Sequence, residues 1–376
     1  MTYISYILKI CLYFLIIFVM YYLALRNRRL VIKVGKQSLG GVDNDTWRLS
    51  FIAILIITIL FAYYSIICGA TPETIDRARY AHRFEHNIYE ERKNSEALFW
   101  VEYFLSYYTK DPRMLFFSVT GMSVLLTLLA YNLYKEAKPI TLVYLGFTQY
   151  FFYTFYQLKQ APAIALIAIS FWCFLHKKRV FCILTLLLAI LFHEVAYIAV
   201  PIYILLLGSK KKWVWITEII IFGVATVAFS FVTKSVVNIV NLVPGLGIQI
   251  ARYVSEDGSI NVYTHFATAI KGIPLYLLSF YGISKRKELV GSIENYDKYL
   301  ILTVFSSFTV VLSIYNYWMW RLGTIFLFPI CTFATEIKDN LASKKEGSTF
   351  HFCFLLSYAF FTIRVIFQYY FKYGGF

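Results

Sequence analysis

Charge is scarce in this chain, and that scarcity is its first constraint. Only 15% of the 376 residues are Asp, Glu, Lys or Arg, against roughly 25% in an ordinary soluble domain. Hydrophobic residues supply 59% and aromatic residues 20%, with a mean hydropathy of +0.63. A soluble globular protein is excluded, and a multi-span membrane protein remains. Cysteine is also sparse: Cys11, Cys68, Cys173, Cys182, Cys331 and Cys353 sit mostly inside apolar runs, none in CxxC spacing. Neither a disulfide framework nor a zinc site is indicated. No repeat of fixed period and no low-complexity segment is present, and the long polar stretches are not rich in Gly, Ser or Pro, so residues 1–376 read as a single transmembrane domain. Acidic residues are outnumbered 21 to 36, for a net charge of +15. The basic residues fall in short clusters between apolar runs, so topology accounts for the excess and a nucleic-acid partner does not.

What the chain has in abundance is apolar runs of membrane-spanning length. The first, Tyr3 to Leu25, is too long for a signal-peptide core and lacks a small-residue cleavage site, so it reads as a retained helix. Further spans are expected near 49–69, 113–134, 139–156, 161–176, 213–232, 264–283, 298–318, 321–337 and 350–371. Between 180 and 207 the pattern is different. Phe181 to Leu207 is apolar throughout, yet His176-Lys177-Lys178-Arg179 precedes it and Lys210-Lys211-Lys212 follows it. Basic clusters mark the cytoplasmic side, so this stretch is expected to go in and come back. It is too short for two full crossings of about 20 residues each. Two short or broken helices meeting at His193-Glu194, with the turn toward the outer side, satisfy both facts. With that hairpin, each inner loop (26–48, 135–138, 176–179, 209–212, 284–298 and 338–349) is basic and the N-terminus lies outside. Two long outer loops are left, 70–112 and 233–263. The first holds Asn94-Ser95-Glu96, a candidate N-cap, before Ala97 to Leu105, an amphipathic helix expected to lie at the membrane interface.

The polar residues that composition does not explain collect on the outer side: Asp76, Arg77, Arg79, Lys159, Gln160, His193, Glu194, Arg252, His265 and Arg321. Cations there defy the inward bias. An anion such as a diphosphate-linked lipid supplies a reason, since Arg binds its oxygens bidentately and Lys as a point charge. Arg321 joins two spans with almost no loop, and an interfacial aromatic-belt anchor is its structural alternative. Lys159 and Gln160 follow a ring-rich stretch, Phe147 to Tyr156, which suits either a saccharide platform or an aromatic belt. An unperturbed imidazole titrates near neutral pH, so His193 is a residue type suited to taking a proton from an attacking hydroxyl or holding that hydroxyl, with Glu194 beside it; plain packing is the alternative. Other motifs carry less. Asp43-Asn44-Asp45 has a DxD shape but lies in a basic inner loop, Glu256-Asp257-Gly258 reads as an exposed turn, and His82 and His86 with Glu85 are only weakly metal-like.

These residues, in this order, resemble the EpsG family of polysaccharide-assembly membrane proteins, related to Wzy-type O-antigen and capsule polymerases. Asp76-Arg77-Ala78-Arg79-Tyr80 looks like the family's D-x-x-R-Y element, and Ser95-Glu96-Ala97-Leu98-Phe99 is similar to E-P-L-F with Ala97 in place of proline. Lys159-Gln160-Ala161 resembles R-Q-x-x-A with Lys for Arg, Phe192-His193 falls where the family has F-H, and Arg321 matches a late Arg opening a helix. The resemblance implies an all-α polytopic membrane protein of about 11–12 transmembrane helices, GT-C-like, with a re-entrant or broken hairpin. It implies a polymerase in the bacterial cytoplasmic membrane, facing the periplasm or exterior, that needs no metal or other cofactor. Such an enzyme moves a growing glycan from undecaprenyl diphosphate to the non-reducing sugar hydroxyl of a lipid-linked repeat unit. A chain-length regulator is a further expected partner. The catalytic set expected on this basis is His193, Arg321 and Arg79; the substrate-binding set is Asp76, Tyr80, Lys159, Gln160, Arg252 and Glu194.

Rival readings are a lipid-phosphate-dependent transferase that adds one sugar, for which Glu73, Asp76, Glu85 and Glu96 would be the acidic residues of interest, and a flippase or transporter. A transporter predicts repeat symmetry and polar residues reaching both faces, whereas the candidates here gather on one side.

Overall fold

The computed structural model describes residues 3–35, 48–68, 75–86, 96–148, 150–208, 272–313 and 319–372. Each regular element among the described residues is helical. In chain order these are α1 (Tyr3–Gly35), α2 (Phe51–Cys68), α3 (Ile75–His86), α4 (Glu96–Ser106), α5 (Pro112–Leu133), α6 (Pro139–Phe147), α7 (Tyr150–Tyr156), α8 (Gln160–Leu175) and α9 (Arg179–Phe192). A short 3₁₀ segment, η1 (Glu194–Ile198), leads into α10 (Ala199–Gly208). Then come α11 (Ile273–Ser284), α12 (Arg286–Leu289), α13 (Tyr296–Leu312), α14 (Met319–Thr324), α15 (Leu327–Asn340) and α16 (Lys344–Lys372). Ile7–Arg26 and Pro112–Leu133 are long and apolar enough to cross a membrane, and Phe51–Ile67, Gln160–Leu175, Arg179–Phe192, Glu194–Leu207 and Ile273–Ser284 are shorter apolar helices. The residues form two compact units, one of Met1–Ala199 with Leu327–Phe376, the other of Val200–Phe326.

The first unit is built around α5 and α8. Asp111 caps α5, accepting from the Arg113 amide at 3.0 Å, and Pro112 pre-sets the first turn. The Arg113 side chain also bonds to Asp111 and holds its carboxyl below the usual carboxylate range. Helix α8 is buried along almost all of its length, and its alanines at 161, 163, 165 and 168 let neighbouring helices approach closely. Tyr134 donates across to the Ala168 carbonyl at 2.8 Å. On α9 one side only is covered: Phe181, Leu184, Leu187, Leu188 and Leu191 face outward, the apolar exterior that a lipid solvent permits.

Aromatic rings tie α1, α2 and α7 together. Tyr13 lies 5.9 Å from Tyr64 and 6.4 Å from both Phe61 and Phe155, while Phe61 stacks on Phe151 at 4.6 Å. The Tyr13 hydroxyl would be costly to bury alone; it donates to the Gly146 carbonyl of α6 at 2.8 Å. At the opposite end, Asn132 closes a reciprocal pair with Leu49, accepting from its amide at 2.7 Å and donating to its carbonyl at 2.9 Å. The start of α2 is thereby fixed to the end of α5. Lys138 reaches Asp339 at 2.7 Å. Burial pushes the Asp339 carboxyl up, but the bonds from Lys138 and Lys338 outweigh it and hold the group below its usual range.

In the second unit α11 and α13 meet through Ser279 and Ser307, whose hydroxyls are 2.6 Å apart. Arg286 grips Asp297 with two bonds of 2.8 and 2.7 Å, fixing α12 against the start of α13. Helix α14 lies close on α13 at Gly323.

Several boundaries follow the sequence expectation. A helix, α4, occupies Glu96–Ser106 where one was expected, and the apolar stretch after Arg179 breaks at His193 instead of continuing as one helix. Two expected spans prove to be interrupted. The 139–156 span divides into α6 and α7 around Thr148, whose hydroxyl bonds back to the Leu145 carbonyl at 3.0 Å, a local bond that competes with helix continuation. The 321–337 span divides into α14 and α15. Helix α1 runs on to Gly35, past the expected end at 25; α11 (Ile273–Ser284) covers the described part of the span expected at 264–283, whose first residues lie outside the described residues. The expected span 213–232 lies outside the described residues.

A side chain at Gly323 would place its Cβ 2.8 Å from Thr309 Oγ1 and 2.9 Å from the Ser306 carbonyl oxygen. The second of these is backbone and does not swing away. Gly323→Ala is therefore expected to destabilise the α13–α14 contact by about 1–3 kcal/mol, read as a lower melting temperature of the purified protein in detergent.

Candidate functional site

The site is assembled from the way α3 is held. Its first turn carries the D-x-x-R-Y residues, and the two arginines of that element have different tasks. Arg77 is only 3% exposed. Its guanidinium donates to the Ser65 carbonyl at 2.7 Å and to the Phe155 carbonyl at 2.9 Å, and it lies 3.7 Å over the Phe116 ring. Ser65 and Phe155 belong to the last turns of α2 and α7, where carbonyls lack intrahelical donors and the helix dipole is negative. One cation thus satisfies two helix ends and packs on a third helix, α5. Arg77, expected among the outward-facing polar groups, is buried and structural. Arg79, two residues on, is exposed.

Tyr80 brings α3 to the start of α8. The Lys159 ammonium lies 5.9 Å from the centroid of the Tyr80 ring, joining two of the family-like elements. Lys159 occupies the N-cap position of α8 and is half-buried, and Gln160 is buried in the first turn. Of the rings preceding them, Tyr150, Phe151 and Phe155 are buried, and the Tyr150 hydroxyl is 2.8 Å from Thr127 Oγ1.

Helices α8 and α9 carry the next residues to the same place. They are joined by the tight turn His176–Lys178, with Lys177 in the left-handed region at φ 57°. Ser170 of α8 donates to the Cys182 carbonyl of α9 at 3.0 Å. Ten residues back along α8 from that bond is Gln160, and ten residues forward along α9 is Phe192. In antiparallel neighbours of equal rise those two positions are level, and η1 packs against α8 accordingly. His193 and Glu194, both half-buried, therefore reach the end of the bundle where Lys159 and Gln160 begin.

His193 has an extended backbone, φ −158° and ψ 128°, which ends α9. Its imidazole then caps η1: Nδ1 accepts from the Val195 amide at 3.0 Å. A neutral ring accepting at Nδ1 carries its proton on Nε2. On that side the ring is a hydrogen-bond donor, not an acceptor. Glu194 follows in the first turn of η1.

The E-A-L-F element lies on α4, which packs against both α5 and α9. Leu98 and Glu102 turn inward, while Trp100, Phe104, Tyr107 and Tyr108 are exposed, the one-sided aromatic surface expected at an interface.

Not all candidates converge. Asp76 lies in the first turn of α3. Arg321 is half-buried on α14 in the second unit, where its carbonyl accepts from the Thr324 hydroxyl at 2.9 Å. Arg252, His265, Asp43-Asn44-Asp45 and Glu256-Asp257-Gly258 lie outside the described residues. His82 and His86 are exposed on α3, their rings 4.3 Å apart and His86 Nδ1 2.9 Å from the His82 carbonyl oxygen. One further arginine, Arg83, is on α3 and is buried; no motif singles it out, and its signal is spacing, one turn beyond Arg79.

The model of the EpsG family matches residues 47–374 of the chain. No curated protein and no solved structure matches it.

Removing the Arg77 side chain leaves buried carbonyls without a donor. Arg77→Leu is expected to cost about 2–4 kcal/mol, whereas Arg79→Leu should stay within about 0.5 kcal/mol of the wild type. Thermal melts of the two purified variants check the contrast, and equal melting temperatures would refute the division of labour within the element.

Proposed function

We propose, from the premise that this chain belongs to the EpsG family and is thus a membrane protein of polysaccharide-polymerase type, that it polymerises lipid-linked repeat units. The growing glycan is transferred from undecaprenyl diphosphate to a sugar hydroxyl of a new lipid-linked unit. The protein is read as multi-pass in the bacterial cytoplasmic membrane, GT-C-like, with α3, α4 and the His193 break on the outer side. A chain-length regulator is a further partner on this reading.

The observation that carries this reading is the convergence of α3, the start of α8 and the His193 break at one end of the first unit. A transfer reaction needs those three together. The bond from the anomeric carbon to the diphosphate oxygen breaks, a bond from that carbon to the acceptor oxygen forms, and the diphosphate leaves with an added negative charge. Stabilising that charge is the main electrostatic task. Arg79 and Lys159 take this role in the first unit; Arg321 and Arg252 keep, from the sequence alone, the diphosphate-binding role expected of them. His193, donating through Nε2, holds the acceptor hydroxyl, and Glu194 is the neighbouring carboxylate to receive its proton. Asp76, Tyr80 and Gln160 position the sugars and the lipid diphosphate.

The cap and the catalytic role of His193 are separable. Asn also caps a helix start through its side-chain oxygen, but it does not reproduce an imidazole N–H. In a strain lacking the gene, the wild type should restore a ladder of surface glycan on a gel. His193→Ala, His193→Asn and Arg321→Ala should each leave a single lipid-linked unit while reaching normal protein levels, with His193→Asn the more thermostable of the two His193 variants. A full ladder from His193→Asn would remove the imidazole from the chemistry. Incomplete units after deletion would indicate a single-sugar transferase, and blocked export a transporter.

A further inference from the structure

Arg83 is 6% exposed and carries a full positive charge, yet it has no hydrogen-bond or ion-pair partner among the described residues. Its Nε is wholly buried and unbonded. Buried guanidinium groups are almost always paired, because an uncompensated one costs several kcal/mol. Nothing on its own helix relieves the cost. Glu85, two positions on, points about 160° away around α3 and is exposed. Arg79, one turn back on the same face, is a like charge and adds to the penalty. On the neighbouring α5, the acidic Asp111 is already gripped by Arg113.

The surroundings show what would relieve it. Arg83 is three residues from Tyr80 and four from Arg79, so all three share one face of α3, and Tyr80 carries the Lys159 ammonium at its ring. Two cations on one face of α3 and a third at the start of α8 are thus brought to the neighbourhood of Tyr80. The anion that matches them has several negative oxygens, more than a carboxylate or a single phosphodiester offers. We propose that Arg83 is a substrate-binding residue for a diphosphate group, completing with Arg79 and Lys159 an anion site of which Tyr80 is the floor. This rests on the polymerase reading for its biological ligand, a polyprenyl diphosphate, but not for its chemistry. Arg77, on the same helix and equally cationic, is excluded from the site because two carbonyls and a ring already occupy it. An arginine left buried without a protein partner is a local sacrifice of stability for binding.

The test uses the full-length protein in detergent micelles and in phosphatidylcholine nanodiscs, with melting followed by tryptophan fluorescence. The probe is inorganic pyrophosphate, compared with sulfate at equal ionic strength and with nanodiscs containing phosphatidylglycerol. Pyrophosphate should raise the wild-type melting temperature saturably and sulfate should not. Arg83→Met should weaken the apparent affinity roughly tenfold or more, the equivalent of one charged hydrogen bond. It should also raise the melting temperature without ligand, since an unpaired buried charge has been removed. Arg83→Gln and Arg83→Lys serve should the methionine variant not be recovered, each with weakened pyrophosphate binding, and Lys344→Gln, at an exposed cation elsewhere, should bind as the wild type does. Pyrophosphate binding unchanged in the Arg83 variants, a ligand-free melting temperature lowered by Arg83→Met, or stabilisation by phosphatidylglycerol alone would each overturn the proposal. Pyrophosphate binding through Arg83 in a protein whose deletion leaves the glycan ladder intact would sink the polymerase reading and leave the anion site standing. Loss of the ladder on deletion, with Arg83→Met binding pyrophosphate normally, would do the reverse.

Discussion

The guanidinium of Arg77 lies where two helices end and a third passes. Without it, the last-turn carbonyls of Ser65 and Phe155 would face one another's negative dipole ends with no donor between them. With it, those ends become an attachment point for α3, a helix too polar to be held by apolar burial alone. Everything else proposed for this end of the protein depends on that attachment. The orientation of α3 sets where Arg79, Tyr80 and Arg83 project, and the Tyr80 ring is where Lys159 approaches the helix.

Two arginines of one short motif thus differ, one committed to the fold and one left exposed, and the difference has a physical basis. A group that satisfies backbone acceptors at fixed positions is committed, and its charge is already neutralised locally. A group left exposed, as Arg79 is, or buried without a partner among the described residues, as Arg83 is, retains the capacity to meet a ligand. The same logic applies to His193. Its Nδ1 is committed to the Val195 amide, so the break in the hairpin and the direction of the ring are fixed by one bond, and only one tautomer of the neutral ring is compatible with it.

Much of this was legible in the sequence, and the failures have identifiable causes. The basic clusters on either side of Phe181 to Leu207 were enough to place a break at His193, because charge bias and span length leave few alternatives. The presence of a helix at α4 was legible in the amphipathic run from Ala97 to Leu105. Hydropathy alone did not reveal the interruption at Thr148, since the residues on both sides are equally apolar and the break turns on a side-chain bond. Nor does a short motif distinguish Arg77 from Arg79, for the distinction lies in carbonyls 12 and 78 residues away in the chain. Arg83 belongs to no motif. Helical spacing puts it beside Arg79 and Tyr80, but only its burial with an unbonded Nε among the described residues gives that spacing meaning.

The α8–α9 pair acts as a ruler. Its two arms, measured from the Ser170–Cys182 bond, are equal in length, and that equality is what brings Lys159 and His193 level. A residue inserted into one arm alone would advance that arm's end by about 1.5 Å and rotate it by about 100°, turning its polar residue out of the site while leaving the hydrophobic packing largely acceptable. Over evolutionary time these arms are free to change composition but not to change length singly. Insertions and deletions on this hairpin should occur as matched pairs or be confined to the turn at Lys177, where an added residue alters neither arm.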